Sequence, residues 1–378
     1  MTEFDYYIRQ GEPSQREKAE AWAVAIGLQD VDGLKTSDYL RETARKHIEG
    51  DISIKDAQRL VHTYYQSKTK RTADDDDQFE ADSVSSKIAE LLESNTVGFT
   101  LPGYVSIHKH LFTGVYKFAG RIRDYNITKK EWVLRGGTVN YLNYLDIRPA
   151  IEYDLEKERA FSYKGLSADA IVAHIARFVA GLWQIHAFGE GNTRTTAVFT
   201  ILYLRSIGFD IDNSLFAENS WYFRNALVRA NYKNATNGID YDYQFLERFF
   251  RNLLLGEHNE LKNRYMLINP PTELQPSPSS TPSSAPSSTP SSLDINSISE
   301  PIRRLVLAIN EQQLSKKELM QSLGLKDRAN FEDYSLTPAI QRGYVHLLYP
   351  DSPKHPRQKY LLTVKGLMIY QMLKGIEQ

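Results

Sequence analysis

A chain of 378 residues is too long for one ordinary domain and suits two or three. Its 41% hydrophobic and 25% charged content describe a globular protein with a real core, and a formal charge of −1 gives no global pull toward nucleic acid or membrane. The absence of cysteine excludes disulfides, thiolate metal sites and a cysteine nucleophile, and it fits a reducing compartment. Met1-Thr2-Glu3-Phe4-Asp5 lacks the basic-then-apolar pattern of a secretory signal. No apolar run reaches the roughly 18 residues of a membrane span. A cytoplasmic protein without a membrane partner is expected.

In chain order, residues 16–65 predict helices at Glu17–Ile26, Ser37–Ile48 and Ile54–Tyr65, with Gly33 and Gly50 as stops. Lys68 to Asp82, with four successive aspartates from Asp74, predicts a solvated loop closing an N-terminal helical region at 1–82. Helical spacing resumes at Ser83–Leu92, Pro102–Phe112, Arg148–Glu158, Ser167–Ile185, Arg194–Ile207, Ala217–Ala230 and Tyr243–Leu255. Ser167 is a good N-cap for a stripe of Ile171, Ile175, Phe178, Leu182 and Ile185. The segment after Arg194 is apolar nearly all round, which suits the centre of a bundle. Tyr125–Tyr141, with Ile127, Thr128, Trp132 and Val133 before Gly136-Gly137, predicts a β-hairpin. Pro270–Ser292 is almost entirely Ser, Pro and Thr, so 270–293 is expected to be a tether. It divides a core at 83–269 from a C-terminal domain at 294–378.

Chemistry concentrates between two central helices, in His186-Ala187-Phe188-Gly189-Glu190-Gly191-Asn192-Thr193-Arg194. The second helix begins inside this loop, so its unpaired amides offer an anion site. Gly189 and Gly191 permit a nest of N–H groups. Glu190 suits Mg²⁺ when phosphates supply the other oxygens. Arg194 suits a phosphate fork, and His186 suits a base near neutral pH. A histidine at a helix end is more often a cap, and a glycine turn more often only a turn; the conjunction carries the inference. Phe188 is expected to anchor the loop in the core.

The segment resembles the signature of the Fic (filamentation induced by cAMP) domain family, H-x-F-x-[D/E]-G-N-x-R-x-x-R, at His186, Phe188, Glu190, Gly191, Asn192 and Arg194. The resemblance extends over roughly 100–265, through Leu111–Tyr116, Phe118–Arg123, Trp221–Asn231 and Phe249–Arg264. It implies a mostly α fold with a β-hairpin flap, and transfer of AMP from ATP, with Mg²⁺, to a Tyr, Ser or Thr hydroxyl of a target protein. The implied roles are His186 as general base, Glu190 as metal ligand, and Gly189, Gly191, Asn192, Thr193, Arg194, Tyr222 and Asn225 as nucleotide contacts. Thr128, Lys129, Trp132 and Val133 would lie on the flap, where the target docks as an added strand. Two positions depart from the pattern. Thr193 replaces the usual glycine, and Ala197 replaces the second arginine, which in the family assists the γ-phosphate and pairs with an inhibitory glutamate.

Many such proteins carry an inhibitory helix of the form [S/T]-x-x-x-E-[G/N]. Two imperfect candidates occur, Asp32-Gly33 with Leu28 at the Ser/Thr position, and Glu49-Gly50 with Arg45 there; both also fit plain helix ends. After the tether, helices at Pro301–Ile309, Ser315–Leu323 and Asp327–Arg342, strands at Tyr344–Leu348 and Tyr360–Thr363, and a closing helix at Val364–Leu373 resemble a winged helix. Residues 294–378 hold 12 Lys/Arg against 9 Asp/Glu, so DNA and a protein partner, including a second copy of the chain, both stay open. Two alternatives to AMP transfer also stay open: a nucleotide-sensing DNA-binding regulator without turnover, and a Fic enzyme using another phosphate-containing donor.

Overall fold

The computed structural model describes residues 4–68, 72–94, 98–209, 211, 214–268 and 295–376. The expected tether at 270–293 lies outside them. A short α1 (Asp5–Gln10) leads into α2 (Pro13–Gly27), opened by Pro13 and by a capping box of Glu12 with Gln15. A 3₁₀ turn, Leu28–Asp32, stops at Gly33, where φ is 72°. The hydroxyls of Ser37 and Ser53 accept the first free amides of α3 (Asp38–Glu49) and α4 (Ile54–Ser67).

The aspartate run is not a loop. It opens α5 (Ala73–Ser94), which continues unbroken across the boundary expected at 82/83. Negative charge is favoured in a first turn by the helix dipole. Asp75 takes bonds from the amide and hydroxyl of Thr72, and Lys68 neutralises it. α2 packs along α5, so the N-terminal helices are built onto the core. Buried Asp82 links them, accepting from the Ser37 amide and hydroxyl and from Tyr65.

The core continues with α6 (Leu101–Phe112), α7 (Ile147–Ala160), α8 (Ala168–Ile185), α9 (Asn192–Ser206), α10 (Ser214–Ala230) and α11 (Gln244–Leu255). Every residue of α9 from Asn192 to Leu204 is buried, as a central helix requires. Its threonines are satisfied internally: Thr195 and Thr200 hydroxyls donate to carbonyls one turn back, and Thr196 meets the Tyr104 hydroxyl at 3.1 Å.

The C-terminal region runs α12 (Glu300–Ile309), α13 (Lys316–Ser322), α14 (Arg328–Phe331), a π-turn, α15 (Thr337–Gln341), β1 (Val345–Leu347), β2 (Tyr360–Leu362) and α16 (Val364–Ile376). β1 and β2 pair antiparallel with His346 opposite Leu361, in the expected order. This region docks on the core at two glycines. A Cβ on Gly208 would lie 2.5 Å from the Gly343 carbonyl oxygen.

The flap differs from expectation. Among the described residues, Tyr125–Tyr141 forms no strand ladder; it is two irregular arms around a 3₁₀ turn at Trp132–Leu134. The Glu131 amide reaches the Gly137 carbonyl at 2.8 Å. The Glu131 side chain is buried, taken by Tyr141 and Arg224 at 3.0 Å each. Turn-closing backbone bonds and side-chain bonds, not a ladder, hold these arms together.

Candidate active site

α8 ends at His186 in the left-handed conformation (φ 50°, ψ 60°), its amide capping the Trp183 carbonyl at 3.0 Å. Such a backbone at a non-glycine residue costs on the order of 1 kcal/mol and needs support. Arg123 supplies it. This buried guanidinium donates to the carbonyls of His186 (2.7 Å), Tyr125 (2.6 Å), Leu142 (2.5 Å) and Ile185 (3.3 Å), tying the flap to the end of α8. In the sequence Arg123 stands out only as the end of the Phe118–Arg123 stretch. Its one usable signal was an arginine beside the β-branched flap.

The imidazole of His186 is 3% exposed, and neither ring nitrogen has a partner among the described residues. The Tyr141 ring covers it with centroids 4.0 Å apart. Burial, then the charges of Lys129, Arg123 and Arg224, hold its pKa well below 6.5. The ring is therefore neutral, with a nitrogen able to accept a proton.

Phe188 anchors the loop. It is fully buried, stacked on His108 at 3.8 Å and near Tyr104 at 5.9 Å, worth roughly 2–3 kcal/mol of burial. His108 is a second support missed in the sequence. Its Nδ1 accepts the Gly120 amide at 2.9 Å while Nε2 donates to the Glu190 carbonyl at 3.1 Å, a pattern only the neutral ring can make. Gly191 has φ 75°, and a Cβ there would lie 2.3 Å from the Phe112 ring, so glycine is required. Among the described residues, the amides of Gly189, Glu190 and Gly191 donate to no protein acceptor. They immediately precede α9, and unpaired amides at a helix start suit an anion.

The Glu190 side chain is about half exposed, with its carboxylate on Lys129 Nζ at 2.6 Å. No cluster of three or more metal-ligating side chains occurs among the described residues. A lone carboxylate fits Mg²⁺ that arrives with phosphates, not a protein-only cage.

Several residues expected at the nucleotide are engaged elsewhere. Asn192 accepts the Phe188 amide at 2.9 Å and donates to the Phe188 carbonyl at 2.7 Å, closing the loop on itself. Thr193 accepts Trp183 Nε1–H at 3.0 Å. Buried Tyr222 donates to the Phe245 carbonyl at 3.1 Å, and buried Asn225 donates to Asn263 at 2.8 Å. On the flap, Thr128 and Trp132 are exposed, but Val133 is fully buried with its carbonyl bonded by the Ile268 amide. Val133 is a core residue and presents no side chain to a target.

Arg194 is engaged by the N-terminal region. It is 1% exposed: Nε lies 2.8 Å from Asp32, and its Nη atoms donate to Gln29 at 3.0 Å and Glu80 at 2.6 Å. Its guanidinium stands 4.9 Å above the Phe112 ring. Of the inhibitory candidates, Asp32 therefore reaches the motif, with exposed Gly33 as its turn residue. Glu49 does not; it is exposed and takes the Tyr7 hydroxyl.

A buried histidine, three loop amides without a protein acceptor among the described residues and an adjacent carboxylate thus lie together in the helical bundle. Residues 98–204 match the Fic/DOC family, and residues 300–363 match the Fic-like C-terminal domain (filamentation induced by cAMP protein). The chain is similar to a probable protein adenylyltransferase, y4lH, of Sinorhizobium fredii, 28% identical over 155 residues, covering 41% of this chain and 76% of that one. It is also similar to protein adenylyltransferase VbhT of Bartonella schoenbuchensis, 31% identical over 114 residues, covering 30% of this chain and 23% of that one. A crystal structure of a Fic family protein from Desulfovibrio desulfuricans G20 aligns over 95% of this chain and 90% of that one, at 16% identity and a TM-score of 0.39.

Proposed function

We propose that this chain is a protein adenylyltransferase that moves AMP from ATP to a target-protein hydroxyl. The observation that carries the reading is His186, a buried neutral imidazole whose two nitrogens have no partner among the described residues, beside loop amides that likewise have none there. The target hydroxyl passes its proton to a His186 ring nitrogen as its oxygen bonds to the α-phosphorus. The bond from the α-phosphorus to the bridging oxygen breaks, and pyrophosphate leaves with the electron pair. The Gly189–Gly191 amides receive phosphate oxygens. Mg²⁺, held through Glu190, would offset charge on the phosphates. Arg123 and Phe188 keep His186 and the loop in place.

Exposed Thr128 and Trp132 suit a target segment laid along an open flap arm. We read the C-terminal region as a winged helix. Its groove between α13 and the β1–β2 loop, about 980 Å³, is lined by Lys317 and Lys354 together with Lys316 and Arg328, which are both paired with Glu332, so its charge suits a nucleic-acid or a protein partner alike. No helix among the described residues is long and apolar enough to cross a membrane, and the lack of cysteine accords with a cytoplasmic location. We also read Asp32 as inhibitory, because it occupies Arg194. Incubation with α- and γ-labelled ATP in separate reactions tests the chemistry. Label retained from the α-position alone supports AMP transfer; label from the γ-position alone overturns it in favour of phosphotransfer.

A further inference from the structure

Tyr125 stands where the flap meets the loop. A Cβ placed on Gly189 would lie 2.8 Å from the Tyr125 hydroxyl oxygen and 3.5 Å from the Phe118 ring. The phenol therefore reaches Gly189, whose amide is the first of the three without a protein acceptor among the described residues. The residue is 52% exposed. It bonds to Arg123 through its carbonyl, and its hydroxyl makes no hydrogen bond among the described residues. Its backbone is held firmly. Arg123 donates to the Tyr125 carbonyl at 2.6 Å and to the His186 carbonyl at 2.7 Å, so one guanidinium fixes the chain at both residues. Four residues on, Lys129 of the same arm meets Glu190.

The other side-chain donors beside the loop are largely engaged. Arg123 is taken by carbonyls, Arg194 by Gln29 and Glu80, Lys129 by Glu190, and Asn192 by the backbone of Phe188. The hydroxyls of Tyr116 and Tyr141 go to Glu80 and Glu131. Ala197 brings α9 no donor there. A phosphate at the loop offers more acceptor oxygens than three amides satisfy, and an oxygen left without a donor lowers affinity. Tyr125 brings an uncommitted O–H to the same place.

We propose that Tyr125 is a further catalytic residue of this site, its hydroxyl donating a hydrogen bond to a phosphate oxygen held by the Gly189–Gly191 amides; the proposal rests on the nucleotide-transfer reading above. The phenol keeps its proton throughout and forms no covalent bond. Its contact strengthens as negative charge grows on the phosphate oxygens during attack.

Tyr125→Phe keeps the ring and removes only the hydroxyl, so thermal melting should match the wild type. Calorimetry on the full chain with Mg²⁺-ATP should show an affinity lower by about tenfold, the scale of one hydrogen bond to a charged group. Adenosine, measured as a competitor in the same titrations, lacks the phosphates and should bind both proteins alike. Equal ATP affinity in the two proteins overturns the proposal. So does an equal loss for ATP and adenosine, which would make the hydroxyl a support of the pocket and not a phosphate donor. Intact mass after incubation with Mg²⁺-ATP separates donor from acceptor: an adenylyl group on Tyr125 of the wild type, absent from Tyr125→Phe, would make the phenol a site of self-modification and overturn its role as a donor. If the folded wild type binds no ATP, the nucleotide-transfer reading falls and this proposal falls with it, an outcome distinguishable from the others.

Discussion

His186→Asn separates chemistry from architecture at this site. The wild-type ring makes no side-chain hydrogen bond among the described residues, so the substitution breaks none. Asparagine tolerates the left-handed backbone that His186 adopts, with φ at 50°, better than alanine does. The fold loses ring contacts with Tyr141 and Trp183, a cost of roughly 1–2 kcal/mol. Transfer should fall by about 10²–10⁴, equivalent to about 3–5 kcal/mol of barrier at 1.36 kcal/mol per decade. Calorimetric affinity for Mg²⁺-ATP should change little, because the phosphates meet the loop amides and not the ring. The wild-type pH profile is a second readout. A base acts when unprotonated, and the His186 pKa is held well below 6.5, so the rate should stay level from pH 8 to 6.5 and decline only at lower pH. Intact mass of the modified target follows the rate. Wild-type transfer in His186→Asn would remove the residue from the mechanism, and an acid limb above pH 6.5 would mean that the ring titrates in a wetter setting than its burial indicates.

Glu190→Gln should weaken ATP binding in Mg²⁺ and leave binding in excess chelator nearly unchanged; equal losses in both conditions would make Glu190 structural. His108, pushed down to about 4 by burial, binds a proton later than the unfolded chain at 6.5. Its share of stability is therefore present above pH 6.5 and lost as pH falls toward 4, by about 3 kcal/mol. Denaturant titrations at pH 7 and 4.5 should show a shallower pH dependence in His108→Gln than in the wild type; parallel curves would refute this. Ala197→Arg should destabilise by roughly 3 kcal/mol or more, because a charged side chain would enter a site with no exposed surface. An unchanged melting temperature would show that the position opens to the nucleotide.

Features governed by local chemistry were legible in the sequence. Ser167 and the apolar stripe that follows placed α8, and its hydroxyl does accept the Ala170 amide. The run after Arg194, apolar nearly all round, placed α9 at the centre. The aspartate run is helical, against expectation, because first-turn amides and Lys68 offset its like-charge repulsion. The flap was misread because β-branched residues favour a pleated strand only when a ladder is available. Here Glu131 faces inward to Arg224 and Tyr141, and Val133 is fully buried.

The site residues show the same divide. His186, Glu190 and the glycines lie within one short loop, so their association is fixed by the chain itself. Asn192, Thr193, Tyr222 and Asn225 have side chains whose roles depend on distant partners such as Trp183 and Asn263, which no spacing rule anticipates. Arg194 is the clearest case. Its motif position suggests phosphate, yet Gln29 and Glu80, 165 and 114 residues away, complete its bonds with Asp32. An inhibitory pattern seeks a carboxylate opposite an arginine one helical turn beyond Arg194, and Ala197 cannot supply that partner. Arg224 crosses from another helix to the same carboxylate, 192 residues from Asp32. A motif read along the chain sees a lost arginine, whereas the folded site still presents two guanidinium groups to one anion.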